Sequence, residues 1–180
     1  MQYRKHAIKV VSVAFCLLVI FIWTPVSAKG VYKTNSQFLQ ESFPGQEVPP
    51  TQTLWLTGEI KDGIKEILGH NYVKLRVKYW RDKNSTAWVL EEIGKERPIT
   101  AGFFIDQGKL KKTEVLAFRE SRGWEIKHPF FTRQFIGAGL NVKNKLDRNI
   151  DGITGATLSV SAMTRLSQMA LYLHQHVTAQ

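Results

Sequence analysis

The spacing of apolar residues changes period several times along the chain, and each change predicts an element. Leu56 to Leu68 places Ile60, Ile64, Ile67 and Leu68 at helical intervals, opening at Thr57 and followed by Gly69 as a terminator. That spacing predicts a helix with one face in the core. From Tyr72 the period falls to two: Val73, Leu75, Val77 and Tyr79 alternate with Lys74, Arg76 and Lys78, and Asp82-Lys83-Asn84-Ser85 then turns the chain. A strand and a hairpin follow from this pattern. Three more strand-like runs, Thr86 to Ile93, Ile99 to Ile105 and Val115 to Arg119, are separated by Gly94-Lys95-Glu96-Arg97-Pro98 and by Asp106-Gln107-Gly108. Their spacing predicts an antiparallel meander.

Beyond the strands, Phe130, Phe131 and Phe135 sit close to helical spacing within Pro129 to Gly137, which predicts a short helix. The clearest helix is the last, where Leu158, Ala162, Leu166, Met169, Ala170 and Leu173 line one face from just after Thr157. Upstream, Lys29 to Gln52 is polar and proline-bearing apart from an amphipathic segment, Ser36 to Phe43, with Ser36 as its cap and Pro44 as its stop. Strands followed by a terminal helix predict an α+β fold: one small domain with an antiparallel sheet, flanking helices and a C-terminal helix that starts at residue 157.

The N-terminus follows a different plan. Arg4, Lys5 and Lys9 precede an uncharged apolar run from Val10 to Trp23, and Thr24-Pro25-Val26-Ser27-Ala28 follows. A basic start, a short apolar run and small residues at 26 and 28 predict a signal peptide cut after Ala28. An uncleaved anchor is the alternative, but the 14 residues of the run fall short of the about 20 that a spanning helix needs. The expected division is therefore 1–28 signal peptide, 29–53 polar segment and 54–180 folded domain, with the protein in the periplasm or on the outer face of the inner membrane.

Composition narrows the chemistry. At 180 residues and 43% hydrophobic content the chain supports one packed domain. Its single cysteine, Cys16, lies inside the apolar run, so the chain left after cleavage has no disulfide, thiolate-held cluster or thioether-attached haem. Removing Arg4, Lys5 and Lys9 from the 25 basic residues leaves 22 against 15 acidic ones, a formal charge of +7. Such a field favours anionic cofactors, lipid headgroups or acidic proteins. The basic residues are scattered over several strands and form no single stripe, so nucleic acid is not an expected partner.

One segment stands out chemically: Asp151-Gly-Ile-Thr-Gly-Ala-Thr157 at the mouth of the last helix. Gly155 lets backbone approach a bulky group closely. A helix N-terminus leaves amide N–H groups without partners, and its dipole adds about 0.3–1 kcal/mol for a nearby anion. The Thr157 hydroxyl is an atom that a phosphate can esterify. Simple capping by threonine fits the same residues, and the residue physics leaves both readings open.

Asp151-x-x-Thr154-Gly155-Ala156-Thr157 resembles the flavinylation motif of the FMN-binding domain family, which includes subunits of sodium-translocating NADH:quinone reductase and of Rnf complexes. The resemblance implies FMN held by a phosphoester to Thr157, donated from FAD by a separate FAD:protein FMN transferase. It also implies that Asp151, Thr154, Gly155, Ala156 and Ser159 seat the phosphate and form the recognition sequence. The similarity runs from about Trp55 to Val177 and includes Trp88 to Gly94, Arg119 to Glu125 and Pro129 to Phe135. In these stretches it is similar to small stand-alone members associated with PepSY-type membrane reductases. The respiratory subunits carry a Glu-Thr-Pro-Gly-type loop where this chain has Glu120-Ser121-Arg122-Gly123-Trp124, which sets it apart from them. By position, Glu120, Ser121, Gly123 and Trp124 would meet the flavin.

The implied function is an exported electron-transfer flavoprotein that relays electrons between a membrane reductase and an extracytoplasmic acceptor, more a carrier than a self-sufficient enzyme. FMN does the redox chemistry by itself, so no catalytic residue and no metal is expected. The alternative is an exported ligand-binding or structural domain without covalent flavin. Among the other candidates, His70, His128, His174 and His176 read as surface residues, and Glu91, Glu92, Glu120 and Glu125 as solvated or paired carboxylates. Trp124 and Phe131 are expected as flavin walls and the remaining aromatics as core. Arg119, Arg122 and Arg133 lie near the presumed flavin loop.

Overall fold

The structure is a computed structural model and describes residues 30–179. The expected signal peptide therefore lies outside the described residues, apart from the question of the fold. Among those residues no helix is long and apolar enough to cross a membrane.

Five strands form one antiparallel sheet in sequence order: β1 (Thr51–Trp55), β2 (Arg76–Asp82), β3 (Ser85–Ile93), β4 (Pro98–Asp106) and β5 (Lys109–Phe118). Helix α1 (Asn35–Ser42) precedes them, and α2 (Gly58–Leu68) joins β1 to β2. A 3-10 turn (Trp124–Lys127), α3 (Pro129–Thr132) and a second 3-10 turn (Arg133–Phe135) follow β5, and α4 (Thr157–Thr178) closes the chain. This is the α+β architecture that the periodicity predicts.

The sheet is covered on both faces. On one, α2 and α4 pack over Val77, Tyr79, Trp88, Leu90, Ile99, Phe103 and Ile105 to form the main core. Tyr79 and Trp88 are cross-strand partners whose rings stack with centroids 4.9 Å apart. On the other face, α1 lays Phe38, Leu39 and Phe43 against Ala87 and Leu116. The approach is close: a Cβ at Gly102 would lie 2.8 Å from the Phe38 ring. The segment 29–53, expected from sequence to be polar with one amphipathic stretch, thus supplies α1, which packs on the sheet, and the start of the edge strand β1.

Four expectations shift. The strand starting at Tyr72 begins only at Arg76, and Val73 is 89% exposed. The reason is pairing, since Trp55↔Arg76 is the last residue pair with β1, and residues 72–75 have no partner strand beyond the Leu56 N–H to Leu75 carbonyl bond. Strand β5 starts at Lys109 instead of Val115, because ladder pairing with β4 runs back to Asp106↔Lys109 through a stretch in which Lys109 and Lys111 are exposed and Lys112 pairs with Glu41. Thr34, not Ser36, caps α1: its hydroxyl accepts from the Gln37 N–H while the Gln37 side chain accepts from the Thr34 N–H, a reciprocal box that a Ser at position 36 cannot make. Finally, His174 is not a surface residue. It is buried, with Nε2 accepting from the Gly108 N–H at 3.2 Å and Nδ1 2.8 Å from the Thr86 hydroxyl.

Candidate functional site

The mouth of α4 is assembled from three segments. The first is the motif itself. Ala156 is the N-cap, and no side chain caps the helix. The Ala156 N–H instead closes a turn onto the Ile153 carbonyl at 2.9 Å. Thr157 is the first helical residue and is exposed, so its hydroxyl is not spent on capping. Gly155 holds φ +81°, and a Cβ built there meets nothing within 4 Å. The left-handed backbone at Gly155 turns the chain into the helix and leaves open space beside it.

The second segment is the loop after β5. Gly123 is buried at φ +85°, and a Cβ there would lie 2.8 Å from Ser159 Oγ and 3.3 Å from Ala156 Cβ. The loop therefore packs directly on the first turn of α4, at a distance only glycine permits. Trp124 then begins the 3-10 turn with its indole 46% exposed.

The third segment is the β3–β4 turn. Glu120 Oε1 accepts the backbone N–H groups of Lys95, Glu96 and Arg97 at 2.7, 2.7 and 2.8 Å. Burial would raise the Glu120 carboxyl, but the three N–H donors outweigh it and hold the group below its ordinary range. This carboxylate ties the turn to the loop, which brings Lys95 to the helix mouth.

Together the segments enclose a cavity of about 580 Å³. Among the residues expected from sequence, Glu120, Ser121, Gly155, Ala156, Thr157 and Ser159 line it. Gly123 lies beneath the lining as a packing contact, and Trp124, expected as a flavin wall, is absent from the lining. Asp151 and Thr154 are exposed and outside the lining; the Asp151 N–H is held by Gln134 Oε1 at 2.7 Å. Arg122 lines the cavity, whereas Arg119 is turned toward Pro98 and Thr100 and Arg133 is absent from the lining.

Three placements correct the sequence reading. Phe131 is no flavin wall: it is fully buried and packs edge-on against Phe135, with centroids 5.4 Å apart. Leu158 leaves the core face of α4, standing 51% exposed in the cavity wall. The first turn of the helix projects to the loop and the β3–β4 turn, so its apolar stripe has no sheet beneath it there. Lys95 was missed, and only the long-range bonds from its turn to Glu120 could have found it.

Glu92 is buried between His70, whose Nε2 lies 2.8 Å from Glu92 Oε1, and Arg165, at 4.0 Å. Hydrogen bonding to Glu92 raises the His70 pKa. Among the described residues no group of three or more His, Cys, Asp or Glu side chains converges as a metal site.

Free amides at a helix mouth, a lysine and an arginine on the walls, an exposed hydroxyl and open space define an α+β binding domain suited to a phosphate-bearing ligand. Residues 94–172 match the model of the FMN-binding domain, a span that holds all three site segments. That stretch is an FMN-binding domain, which supports an FMN-binding flavoprotein. No curated protein and no solved structure matches the chain.

Proposed function

We propose that the protein is an exported electron carrier whose FMN is esterified to Thr157 Oγ1. The observation that carries this reading is the exposed Thr157 hydroxyl at an uncapped helix mouth inside the cavity. Attachment by a FAD:protein FMN transferase forms the Thr157 Oγ1–P bond and breaks the pyrophosphate of FAD. AMP leaves and the hydroxyl proton goes to solvent. The diester keeps one negative charge, which the unpaired amides of the first turn and the dipole of α4 stabilise. Bound FMN supplies the redox chemistry.

The chain's own residues hold and shield the group. Ser121 and Ser159 offer hydroxyls on the cavity wall, Lys95 and Arg122 offer positive charge, and Leu158 offers an apolar surface. Glu120 keeps Lys95 in place through the turn, and the three N–H donors on its Oε1 partly offset its charge. A covalent link suits an exported carrier, since even a nanomolar complex, worth about 12 kcal/mol, loses ligand to continual dilution. Export rests on residues 1–28 of the sequence, and the reading includes a membrane reductase as donor and an extracytoplasmic redox acceptor.

The experiment is co-expression with a FAD:protein FMN transferase, followed by denaturing electrophoresis under ultraviolet light and intact mass measurement. Wild type gains one FMN adduct and Thr157→Ala gains none. A wild-type chain without adduct overturns the reading and leaves a non-covalent FMN-binding domain.

A further inference from the structure

Beside the cavity runs a line of aromatic rings, exposed at Trp124 and Phe130 and half-buried at His128 between them. Trp124 meets His128 edge-on at 5.3 Å, and His128 stacks on Phe130 at 6.2 Å between centroids. Lys127 Nζ lies 5.1 Å from the Trp124 ring centroid and 4.1 Å from that of Tyr32. Phe130 is 62% and Tyr32 42% exposed, and Leu158, 51% exposed, adds apolar surface in the cavity wall. A contiguous aromatic surface of this kind marks an interaction site, and Trp, Tyr and Arg are the residues that dominate protein interfaces.

The charge around the rings is positive. Among the described residues, Arg97, Arg122 and Lys127 have no carboxylate within ion-pair distance. In these segments Lys95, Arg97, Arg122 and Lys127 stand against Glu96, which lies 3.4 Å from Lys95, Glu120 and Glu125, so the excess is positive. A second basic copy gains no charge complementarity here, and a lipid surface laid over the cavity mouth accepts no electrons. We infer that this rim is the docking surface for an acidic redox protein that exchanges electrons with the flavin. The inference rests on the electron-carrier reading and names the chemistry of its partner. Full reduction takes two electrons from the partner's redox centre and two protons from solvent.

The test uses flavodoxin as an acidic redox probe and begins with the full chain without FMN, so that docking is measured independently of flavin attachment. Titration calorimetry is expected to show binding that weakens about tenfold or more between low and physiological ionic strength. Lys127→Glu and Phe130→Ala, neither of which lines the cavity, each weaken it at least about fivefold. Lys65→Glu on α2 leaves it unchanged; that helix packs near Tyr172, about 22 Å along α4 from Thr157 at 1.5 Å per residue. With FMN attached, Lys127→Glu slows flavin reduction by reduced flavodoxin by a similar factor, at wild-type adduct mass. Equal weakening by Lys65→Glu overturns the proposal, as does undiminished flavodoxin binding by Lys127→Glu. Binding of phosphatidylglycerol vesicles that depends on Lys127 and Phe130 while flavodoxin does not bind also overturns it, in favour of a membrane surface. A missing FMN adduct with intact flavodoxin binding removes the covalent reading and leaves the docking surface standing.

Discussion

Gly123 packs on Ser159 so closely that a single added methyl would lie 2.8 Å from the serine Oγ. Through that contact the loop after β5 and the first turn of α4 become one wall of the cavity.

Gly123→Ala therefore strains two things at once, a backbone at φ +85° and the Ser159 contact. The expected cost is about 1–3 kcal/mol, read as a lower midpoint in urea unfolding. Because the loop must shift, FMN content after co-expression with the transferase also falls. Gly152→Ala, where a Cβ meets nothing within 4 Å, serves as the control and leaves both unchanged.

Glu120 contributes pH-dependent stability. Its folded pKa is lowered, through three backbone N–H donors that overcome burial. The unfolded chain therefore binds the proton first as pH falls. The contribution is complete above the ordinary carboxyl value of about 4.3 and is lost as pH drops through the folded pKa. Glu120→Gln removes this acid-side slope in a thermal-melt series from pH 6 to 3, and a variant with an unchanged slope refutes the assignment.

His174 acts with the opposite chemistry and the same sign. Burial, with a smaller push from Arg81, lowers its folded pKa from 6.5 to about 4. Its Nε2 accepts from the Gly108 N–H, so the neutral ring carries its proton on Nδ1, and protonating Nε2 breaks that bond. Between pH 6.5 and about 4 the unfolded chain binds a proton that the folded chain refuses. Stability falls across that window by an amount on the order of 3 kcal/mol and is regained by no titration of this group at lower pH. His174→Gln lowers stability at pH 8 but flattens the decline, which melts at half-unit pH steps would show.

Phe38 is fully buried against the face of the sheet opposite α4. Phe38→Ala is expected to cost about 3–5 kcal/mol, measured by chemical denaturation. A loss below about 1 kcal/mol would mean that residues 30–55 are dispensable to the fold.

Conservative replacement probes attachment chemistry. Thr157→Ser keeps the hydroxyl at the uncapped helix mouth, so it retains an FMN adduct at reduced yield. Thr157→Val, close in shape and without the oxygen, gives none by intact mass.

Local pattern determined much of the fold. The helical spacing of Ile60, Ile64 and Ile67 and of Ala162, Leu166 and Met169, together with the alternation along β3 and β4, set helix or strand within a few residues, because burying one face dictates the period. The motif from Asp151 to Thr157 was equally legible, since glycine, small residues and a hydroxyl at a helix start are local chemistry. Long-range contacts decided the rest. Strand β1 carries little alternation and exists because β2 pairs with it. The side of α4 that Leu158 faces depends on what lies beneath the first turn. Phe131 and Trp124 belong to the same aromatic cluster in sequence, yet one is sealed in the core and the other stands at the rim. Lys95 reaches the helix mouth only because Glu120, 25 residues away, gathers the amides of its turn. Periodicity is a property of neighbours along the chain, whereas a cavity is made by segments that meet only when the sheet and α4 have packed.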